Sequence, residues 1–573
     1  MKLTDEKLEK QAPYFYPADF DITSWKAISE SFDELESKQY TTPRDLLTML
    51  YQANELFSMI NQAYTDAFFK TLADTNDTEA QQNLNIMLNE IMLPLEKRFT
   101  GLLTLYMEHP QRQLLSQENY RQLNESFATI ISNSNRQNSG LTLKLSQLMQ
   151  EYRQTLNAIV VTIDGESVPI NIVSQMLSKA EPDRREVIWM ARKDAFLQQK
   201  EKLHSILDRM IKSMHLLATE AGYSNYYEQA LTSSFLGKLT PEKVSDIHKA
   251  VKKAVLPVVR EFITQRRKRL NMKSIRPWDL EADPEASALR PFTTTDELVG
   301  KAISVLYNIR FEYGILMNKM QNTGFLNLDY SPDKVKGEFN GAMPQWEAGF
   351  IHMCSTGHHR DMVMLFHEMG HVLQNISLFR NPLGMFYELP VQVRELASQS
   401  LVYLSTSGWD TFYPDREDQK TAFRSLFEYD LMQVLQWTIL NRFEQMIHAN
   451  PGWTPAEREA EMGKLWKECD LGVDWSGLED WQNIMWMQEL SLFEFPHYIF
   501  MSSLSIFNVW QIYHNYRNNP NDTVSRFQRF LQKTPELSAE DMFNELNIRQ
   551  DYSERHMQKM IDYIISEYKK FGK

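Results

Sequence analysis

The stretch from Val363 to Gln374 constrains the fold more than any other part of the chain. It contains two histidines, His367 and His371, four residues apart among apolar residues. On a helix, that spacing places both imidazoles on one face, about 6 Å apart along the axis. The apolar neighbours indicate that the helix is largely buried, and a buried histidine without a partner is costly. The sequence therefore predicts a buried helix whose two histidines share a partner.

A metal ion is the partner that this spacing favours. Two imidazoles one turn apart can each bind a single Zn²⁺ at about 2 Å and leave other coordination positions open. Glu368 directly follows the first histidine, where its carboxylate can take a proton from a water molecule that the metal activates. The plainer alternative is two ordinary helix histidines, one of them packed in the core. The pattern favours one zinc ion held by His367 and His371, with Glu368 as general base.

Two histidine ligands require a third ligand from the protein. Glu388 and Glu395 are the nearest acidic residues downstream. Glu395 lies in a stretch whose apolar spacing suits a helix packed on the metal helix, and a buried glutamate there needs a cation. Equally, Glu388 could be the ligand while Glu395 pairs with Arg394 or another base. The residues alone leave both choices open.

Composition limits the classes of partner and the cellular compartment. The chain has 573 residues and a formal net charge of −14, which argues against nucleic acid or an anionic membrane as its main partner. Its two cysteines cannot form a disulfide framework. The N-terminus has no apolar signal core, and no uninterrupted apolar run reaches transmembrane length. We therefore expect a cytoplasmic protein with free thiols, and the oligomeric state stays open.

Apolar periodicity predicts a predominantly helical protein with little strand. Residues 159–163 and 168–172 have strand character and flank Asp164-Gly165, a pattern typical of a small hairpin. A long basic helix is predicted from the Thr-Pro pair at 240 toward residue 271, because a cap followed by proline is a common helix start. Another helix is predicted over residues 294–320.

Glycines interrupt the helical pattern between residues 322 and 360, just before the histidine pair. Phe350–Cys354 within this stretch has the composition of a strand. The stretch is therefore either a short sheet or a loop that merely connects helices. A sheet edge here could pair with an extended peptide and hold its carbonyl over the metal.

Over most of its length the chain resembles the thimet-oligopeptidase-like M3 metallopeptidases, especially the bacterial oligoendopeptidase F branch. The resemblance rests on several motifs: Arg276-Pro-Trp-Asp279, the glycine-punctuated stretch 337–357, His367-Glu-Met-Gly-His371, Glu395-Leu-Ala-Ser398, Phe493-Glu-Phe-Pro496 and Gln511-Ile-Tyr513. In that family, the third zinc ligand is a glutamate that opens a Glu-x-Ala-Ser motif. The resemblance therefore implies Glu395 rather than Glu388.

The resemblance also implies an architecture. We expect a mostly α, thimet-oligopeptidase-like two-lobed fold with a deep central channel and a small β-sheet beside the metal helix. An N-terminal helical lobe over residues 1–200 and a catalytic M3 peptidase region over residues 201–573 are predicted. Many family members have another histidine at the position of Gln374, but that histidine is not a required ligand.

The C-terminal region departs from the family pattern. Family members carry a histidine just before Phe-Glu-x-Pro and a tyrosine-rich run after it, which are thought to bind substrate and stabilise the oxyanion. Ser491 stands at the histidine position, and Ile499 and Ser502 stand at tyrosine positions. Tyr498 remains, and His497 is an added imidazole. A missing oxyanion donor typically costs about 10²–10³ in turnover, so low, altered or absent activity is one expectation.

The predicted function is a zinc-dependent oligoendopeptidase that hydrolyses internal bonds of short peptides. Glu368 would be the general base, and Tyr498 or His497 would assist the oxyanion. One alternative is a catalytically weakened M3-like protein that keeps zinc and serves in peptide binding or regulation. The substitutions in the C-terminal region motivate that alternative. A third possibility is a helical scaffold in which the histidine motif is accidental.

Overall fold

The chain divides into two compact units, each assembled from three separate stretches of sequence. The computed structural model describes residues 7–136, 139–170, 173, 176–177, 181–233, 239–280, 289–331, 333–335, 337–387, 389–489, 491–494, 497–533 and 537–570. The first unit comprises Met1–Asn135, Arg290–Asp415 and Asn508–Arg549, and the second comprises Arg136–Leu289, Arg416–Phe507 and Gln550–Lys573. The sequence-based division at residue 200 stays a prediction.

Helices account for most of the described residues, which confirms the predicted mostly α fold. In chain order the α-helices are α1 (Trp25–Ser37), α2 (Pro43–Ala73), α3 (Thr78–Ile86), α4 (Leu93–Glu108), α5 (Arg121–Arg136), α6 (Ser139–Asn157), α7 (Pro182–Leu197), α8 (Lys200–Glu220), α9 (Tyr226–Ser233), α10 (Pro241–Ala254), α11 (Leu256–Arg269), α12 (Thr295–Ile309), α13 (Phe311–Thr323), α14 (His359–Phe379), α15 (Val391–Ser405), α16 (Arg416–Ala449), α17 (Pro455–Glu468), α18 (Glu479–Gln482), α19 (Ser491–Glu494), α20 (Tyr498–Leu504), α21 (Ile506–Asn518), α22 (Pro520–Lys533), α23 (Ala539–Glu545) and α24 (Glu554–Lys570). The strands are β1 (Val160–Ile163), β2 (Glu166–Pro169), β3 (Leu326–Asp329), β4 (Phe339–Met343) and β5 (Ala348–Ser355). No helix in the described part of the chain combines the length and the hydropathy needed to span a bilayer.

The first unit is built around α2, a helix of 31 residues. Its start is a capping box, in which the Thr42 hydroxyl accepts a hydrogen bond from the Asp45 N–H and the Asp45 carboxylate accepts one from the Thr42 N–H. Apolar residues of α2 recur three and four apart and are buried in a core that also contains Phe386. Because Phe386 follows α14, the chain that leaves this helix is anchored in the core before it enters α15.

The basic helix predicted between residues 240 and 271 is two helices, α10 and α11. Its predicted start is confirmed, since the Thr240 hydroxyl caps α10. The helices meet at Val255 because Pro257, in the first turn of α11, has no N–H to continue the backbone ladder. The expectation of one continuous helix was therefore wrong.

The helix predicted over residues 294–320 is likewise split, into α12 and α13. Arg310 between them is extended, with φ −158° and ψ 131°. The two helices then pack against each other, and Gly314 makes room for the Tyr307 ring, whose nearest carbon would lie 2.5 Å from an added Cβ. Arg310 carries no glycine or proline signal, so local sequence did not reveal the break.

The predicted sheet before α14 is confirmed, which excludes the loop alternative. Its strand order is β3-β5-β4, with β3 parallel and β4 antiparallel to β5. β5 lies close to α14 because Gly349 has no side chain; an added Cβ would be 2.7 Å from Val372 Cγ2. Ala342 of β4 pairs with Gly349, and Asn340 points to the same face two residues earlier. Asn340 is therefore on the face of β4 that is turned toward α14.

The predicted hairpin is confirmed in the second unit. β1 and β2 pair antiparallel, from Val160 opposite Pro169 to Ile163 opposite Glu166. Asp164 and Gly165 both have positive φ, 54° and 84°, as a two-residue turn that matches strand twist requires. Residues 171–172, included in the predicted second strand, lie outside the described residues.

α14 and α15 approach each other closely at Gly370. A Cβ added there would lie 2.5 Å from the Ser398 Cα and 2.9 Å from the Ala397 carbonyl oxygen, both backbone atoms of α15. Backbone atoms cannot move aside as the end of a flexible side chain can. Only glycine therefore permits this separation of the two helices.

We expect Gly370→Ala to destabilise the protein by about 1–3 kcal/mol, because the added methyl group forces α14 and α15 apart. Gly300→Ala is the matched control, since Gly300 lies within α12 and has nothing within 4 Å of an added Cβ. That control should be neutral or gain up to about 1 kcal/mol from the better helix former. Urea unfolding of both variants measures the effect, and equal stability of Gly370→Ala and the parent would contradict the packing argument.

Candidate metal centre

Three residues that could hold a metal ion come together on α14 and α15. His367 and His371 stand one turn apart on α14, with their Nε2 atoms 3.2 Å apart. Glu395 on α15 directs one carboxylate oxygen to each imidazole, at 3.8 Å from His367 Nε2 and 3.8 Å from His371 Nε2. Among the described residues, these three form the group of histidine, cysteine and acidic side chains close enough to share an ion.

The separations between these atoms fit a shared ion better than direct hydrogen bonds. In a tetrahedral zinc site with bonds of about 2.0–2.2 Å, neighbouring ligand atoms are about 3.3–3.6 Å apart. A distance of 3.8 Å from imidazole nitrogen to carboxylate oxygen is too long for a hydrogen bond. Glu395 and His371 are both buried, so a cation between them would offset the cost of burying the carboxylate.

His371 is in the protonation state that a metal ligand needs. Burial holds the pKa of the His371 imidazole well below its ordinary value, and the nearby His367 and Arg394 act in the same direction. A neutral imidazole has a nitrogen lone pair available for a metal.

Gln374, one turn further along α14, donates from Nε2 to the Val393 carbonyl oxygen at 3.3 Å. This residue, which departs from the family pattern, therefore joins α14 to α15.

Glu368, the predicted base, is buried beside the ligand group. Burial raises the pKa of its carboxyl group, while the neighbouring His367 and a hydrogen bond from Asn340 oppose that rise. Asn340 Nδ2 donates to Glu368 Oε2 at 2.6 Å. Asn340 of β4 therefore holds the carboxylate close to the pair of histidines.

His497 belongs to the second unit and is buried there. Its Nδ1 accepts a hydrogen bond from Asn441 Nδ2 at 3.1 Å, and its Nε2 lies 3.1 Å from the Tyr227 carbonyl oxygen, as in donation to it. Burial lowers the pKa of His497 to about 4, so the ring is neutral at pH 7. Both ring nitrogens are thus engaged within the unit, and the oxyanion role of His497 stays a prediction.

Tyr498 also lies in the second unit, at the start of α20. It is partly buried and lines a small cavity together with Ser491, Ile499 and Glu444. Its predicted role likewise stays a prediction. Glu388, the alternative third ligand, lies outside the described residues.

Glu444 is the acidic centre of the buried network around His497. Its Oε2 accepts a hydrogen bond from Asn441 Nδ2 at 2.7 Å, while the Asn441 Oδ1 lies 2.9 Å from His248 Nε2. Burial raises the pKa of Glu444 to about 8. Because Glu444 is protonated and hydrogen-bonded, the unit buries it without the cost of burying a charge.

The site combines two histidines one turn apart, a glutamate between them and another glutamate from the next helix. This arrangement is typical of the His-Glu-x-x-His class of metallopeptidases. The sequence profile of Peptidase family M3 matches residues 175–560, and the chain therefore belongs to this family.

Relatives and solved structures agree with the family. The chain is 24% identical over 279 residues to the chromosomal oligoendopeptidase F of Lactococcus lactis subsp. cremoris, a match that covers 47% of this chain and 44% of that protein. An oligoendopeptidase F homolog of Lactococcus lactis subsp. lactis (strain IL1403) is 22% identical over 280 residues, 48% of this chain and 45% of that protein. The match thus spans less than half the length of these relatives.

The fold is shared over nearly the whole chain. A structure of PZ peptidase A with inhibitor 2 superposes with a TM-score of 0.84 at 16% identity and covers 97% of this chain and 99% of that one. Oligoendopeptidase-F from Enterococcus faecium gives a TM-score of 0.61 at 16% identity and covers 95% of this chain and 97% of that one. At such identities the likeness shows a common fold.

Sequence reasoning missed Asn340 as a neighbour of Glu368. The alternation of residues in β4 puts Asn340 on a face of the strand, but the register that turns this face toward α14 comes from pairing with β5. The glycines of the region indicated an interruption of the helical pattern and a possible sheet, but not which side chains would meet.

We expect Glu395→Gln to lower zinc affinity by at least tenfold, because a neutral amide replaces a charged ligand. Zinc competition with a chelator, followed by metal analysis of the purified protein, measures this. Glu388→Gln tests the alternative ligand, and Glu312→Gln, which removes an exposed acid of the first unit, is the control. Loss of zinc in Glu388→Gln but not in Glu395→Gln would overturn the assignment.

The raised pKa of Glu444 predicts a pH dependence of stability. Between pH 6.5 and 8 the folded protein keeps a proton on Glu444 that the unfolded chain has released, so stability falls as pH rises. The contribution of Glu444 alone should fall by about 1–2 kcal/mol over this window. The buried histidines His248, His448 and His497, whose pKa values are lowered to between about 3 and 4, act in the opposite direction, because the unfolded chain binds protons on them near pH 6.5 that the folded protein does not; each adds about 0.4 kcal/mol of stability between pH 6.5 and 8.

Glu444→Gln isolates this effect, because glutamine keeps the shape and cannot titrate. Urea unfolding at pH 6.5 and pH 8 should show that the change in stability with rising pH is more favourable in the variant than in the parent by about 1–2 kcal/mol, because the histidine contributions are common to both. Glu312→Gln serves again as the control and should follow the parent. Identical pH dependence of Glu444→Gln and parent would show that Glu444 does not carry the buried proton.

Proposed function

We propose that this chain is a zinc-dependent oligoendopeptidase that hydrolyses internal peptide bonds of short peptides. His367, His371 and Glu395 would hold one Zn²⁺. The observation that carries the proposal is the meeting of these three ligand atoms beside the buried carboxylate of Glu368. Membership of Peptidase family M3 supports a peptide substrate.

The sheet offers a way to bind an extended peptide. β4 is at one edge of the three-stranded sheet, with β5 on its other side. A peptide that adds to a sheet edge is held by backbone hydrogen bonds, independent of its side chains. Because Asn340 of β4 contacts Glu368, a peptide along this edge would have its backbone near the base and the ligands.

Glu368 would accept the proton of the attacking water and later deliver it to the leaving amine. When bound, zinc would polarise the scissile carbonyl and lower the pKa of water. Burial of Glu368 makes the carboxylate a stronger base, which suits proton transfer near neutral pH. Tyr498 or His497 would assist the oxyanion.

We expect Glu368→Gln to keep zinc and lose peptide hydrolysis, with a fall in kcat of about 10²–10⁴. The amide keeps the size of the side chain and cannot accept the proton. The measurement is cleavage of a mixed peptide library, with and without chelator, read by mass spectrometry alongside metal analysis. Equal cleavage by variant and parent would refute the base assignment. Tight peptide binding by a zinc-loaded parent without turnover would favour the weakened, peptide-binding alternative.

A further inference from the structure

Asn340 is bonded to the proposed base from a different element of the fold. Its Nδ2 donates to Glu368 Oε2 at 2.6 Å, a short distance for a nitrogen donor. A carboxylate has two oxygens, so this bond leaves Oε1 for the proton. Because a hydrogen bond is directional, it restrains the orientation of the carboxylate as well as its position.

The backbone around Asn340 determines where its side chain lies. Pairing of β4 with β5 places Asn340 opposite Ile351, on the face of the sheet that carries Gly349. Gly349 brings that face against Val372 of α14. The amide therefore comes from a strand packed on α14, while Glu368 comes from the helix itself. A glutamate side chain has three rotatable bonds and would otherwise lose entropy when held in one geometry.

We propose that Asn340 is a positioning residue that orients the Glu368 carboxylate for proton transfer. This inference rests on the proposed function. Asn340 acts through Glu368, so its effect should vanish when the carboxylate is absent. Outer residues that orient catalytic or ligand groups typically change activity or metal affinity by about 10–100-fold. Here the change should appear in turnover and not in metal affinity, because Asn340 bonds to the base rather than to a ligand.

The test is a double-mutant cycle with zinc-loaded protein and one fluorogenic peptide. Asn340→Ala should lower kcat about 10–100-fold with KM unchanged. Asn340→Ala combined with Glu368→Gln should have the same residual rate as Glu368→Gln alone. Asn340→Leu, which removes the donor but keeps a side chain branched at Cγ with the same number of heavy atoms, should match Asn340→Ala. Asn327→Ala is the control, because Asn327 lies on β3 and its amide faces His352; it should keep the parental kcat.

Two further measurements do not depend on turnover. Zinc affinity of Asn340→Ala, measured by chelator competition, should equal that of the parent. A crystal structure of metal-free Asn340→Ala should show Glu368 in a different rotamer or in more than one. An unchanged single Glu368 rotamer with parental kcat would overturn the proposal.

Other outcomes distinguish this proposal from the function on which it rests. An equal loss of rate in the parent and Glu368→Gln backgrounds would show that Asn340 acts independently of Glu368, and would overturn it. A raised KM with unchanged kcat would assign Asn340 to substrate contact, and weaker zinc binding would assign it to the ligand group; both overturn it. Undiminished cleavage by Glu368→Gln would show that Glu368 is not the base, and the proposed mechanism would fail together with this inference.

Discussion

The candidate site depends on the close contact between α14 and α15. Gly370 permits the backbone of α15 to approach α14, since its absent Cβ would otherwise lie 2.5 Å from Ser398. Glu395 is three residues before Ser398 and therefore on the same side of its helix. The contact thus brings a buried carboxylate to 3.8 Å from two imidazoles. Burying that negative charge without a cation would be unfavourable, so a metal ion bound at this site would stabilise the packing of the two helices.

A second contact, between α14 and the small sheet, positions Glu368, the proposed base. Gly349 lacks a side chain where β5 packs against the Val372 side chain of α14, so the sheet lies close to the helix. The ligands, Glu368 and Asn340 all belong to the first unit. The geometry of the proposed ligands and base is therefore set by how one helix packs against two neighbours within a single unit.

Sequence predicted the parts of this site that depend on local spacing. The histidine pair and Glu368 follow from helical periodicity, and the hairpin at Asp164-Gly165 follows from turn chemistry. The choice of Glu395 over Glu388 needed a family resemblance, because the distance from His371 to either acid depends on how the chain folds between them. The break at Arg310 and the Asn340 contact were missed, since each depends on tertiary packing or strand register that no local pattern encodes.

The environment of Glu368 has to satisfy two opposing requirements. A stronger base accepts the proton more readily, and burial supplies this by raising the pKa of the carboxyl group. The same burial favours the protonated form, which cannot act as a base. His367 and the Asn340 hydrogen bond both favour the ionised form, and a cation beside His367 would do so too. An apolar residue at position 340 would remove the amide, which is the uncharged group that favours the ionised form of Glu368. The amide therefore supports the buried carboxylate directionally without adding another charge to the site.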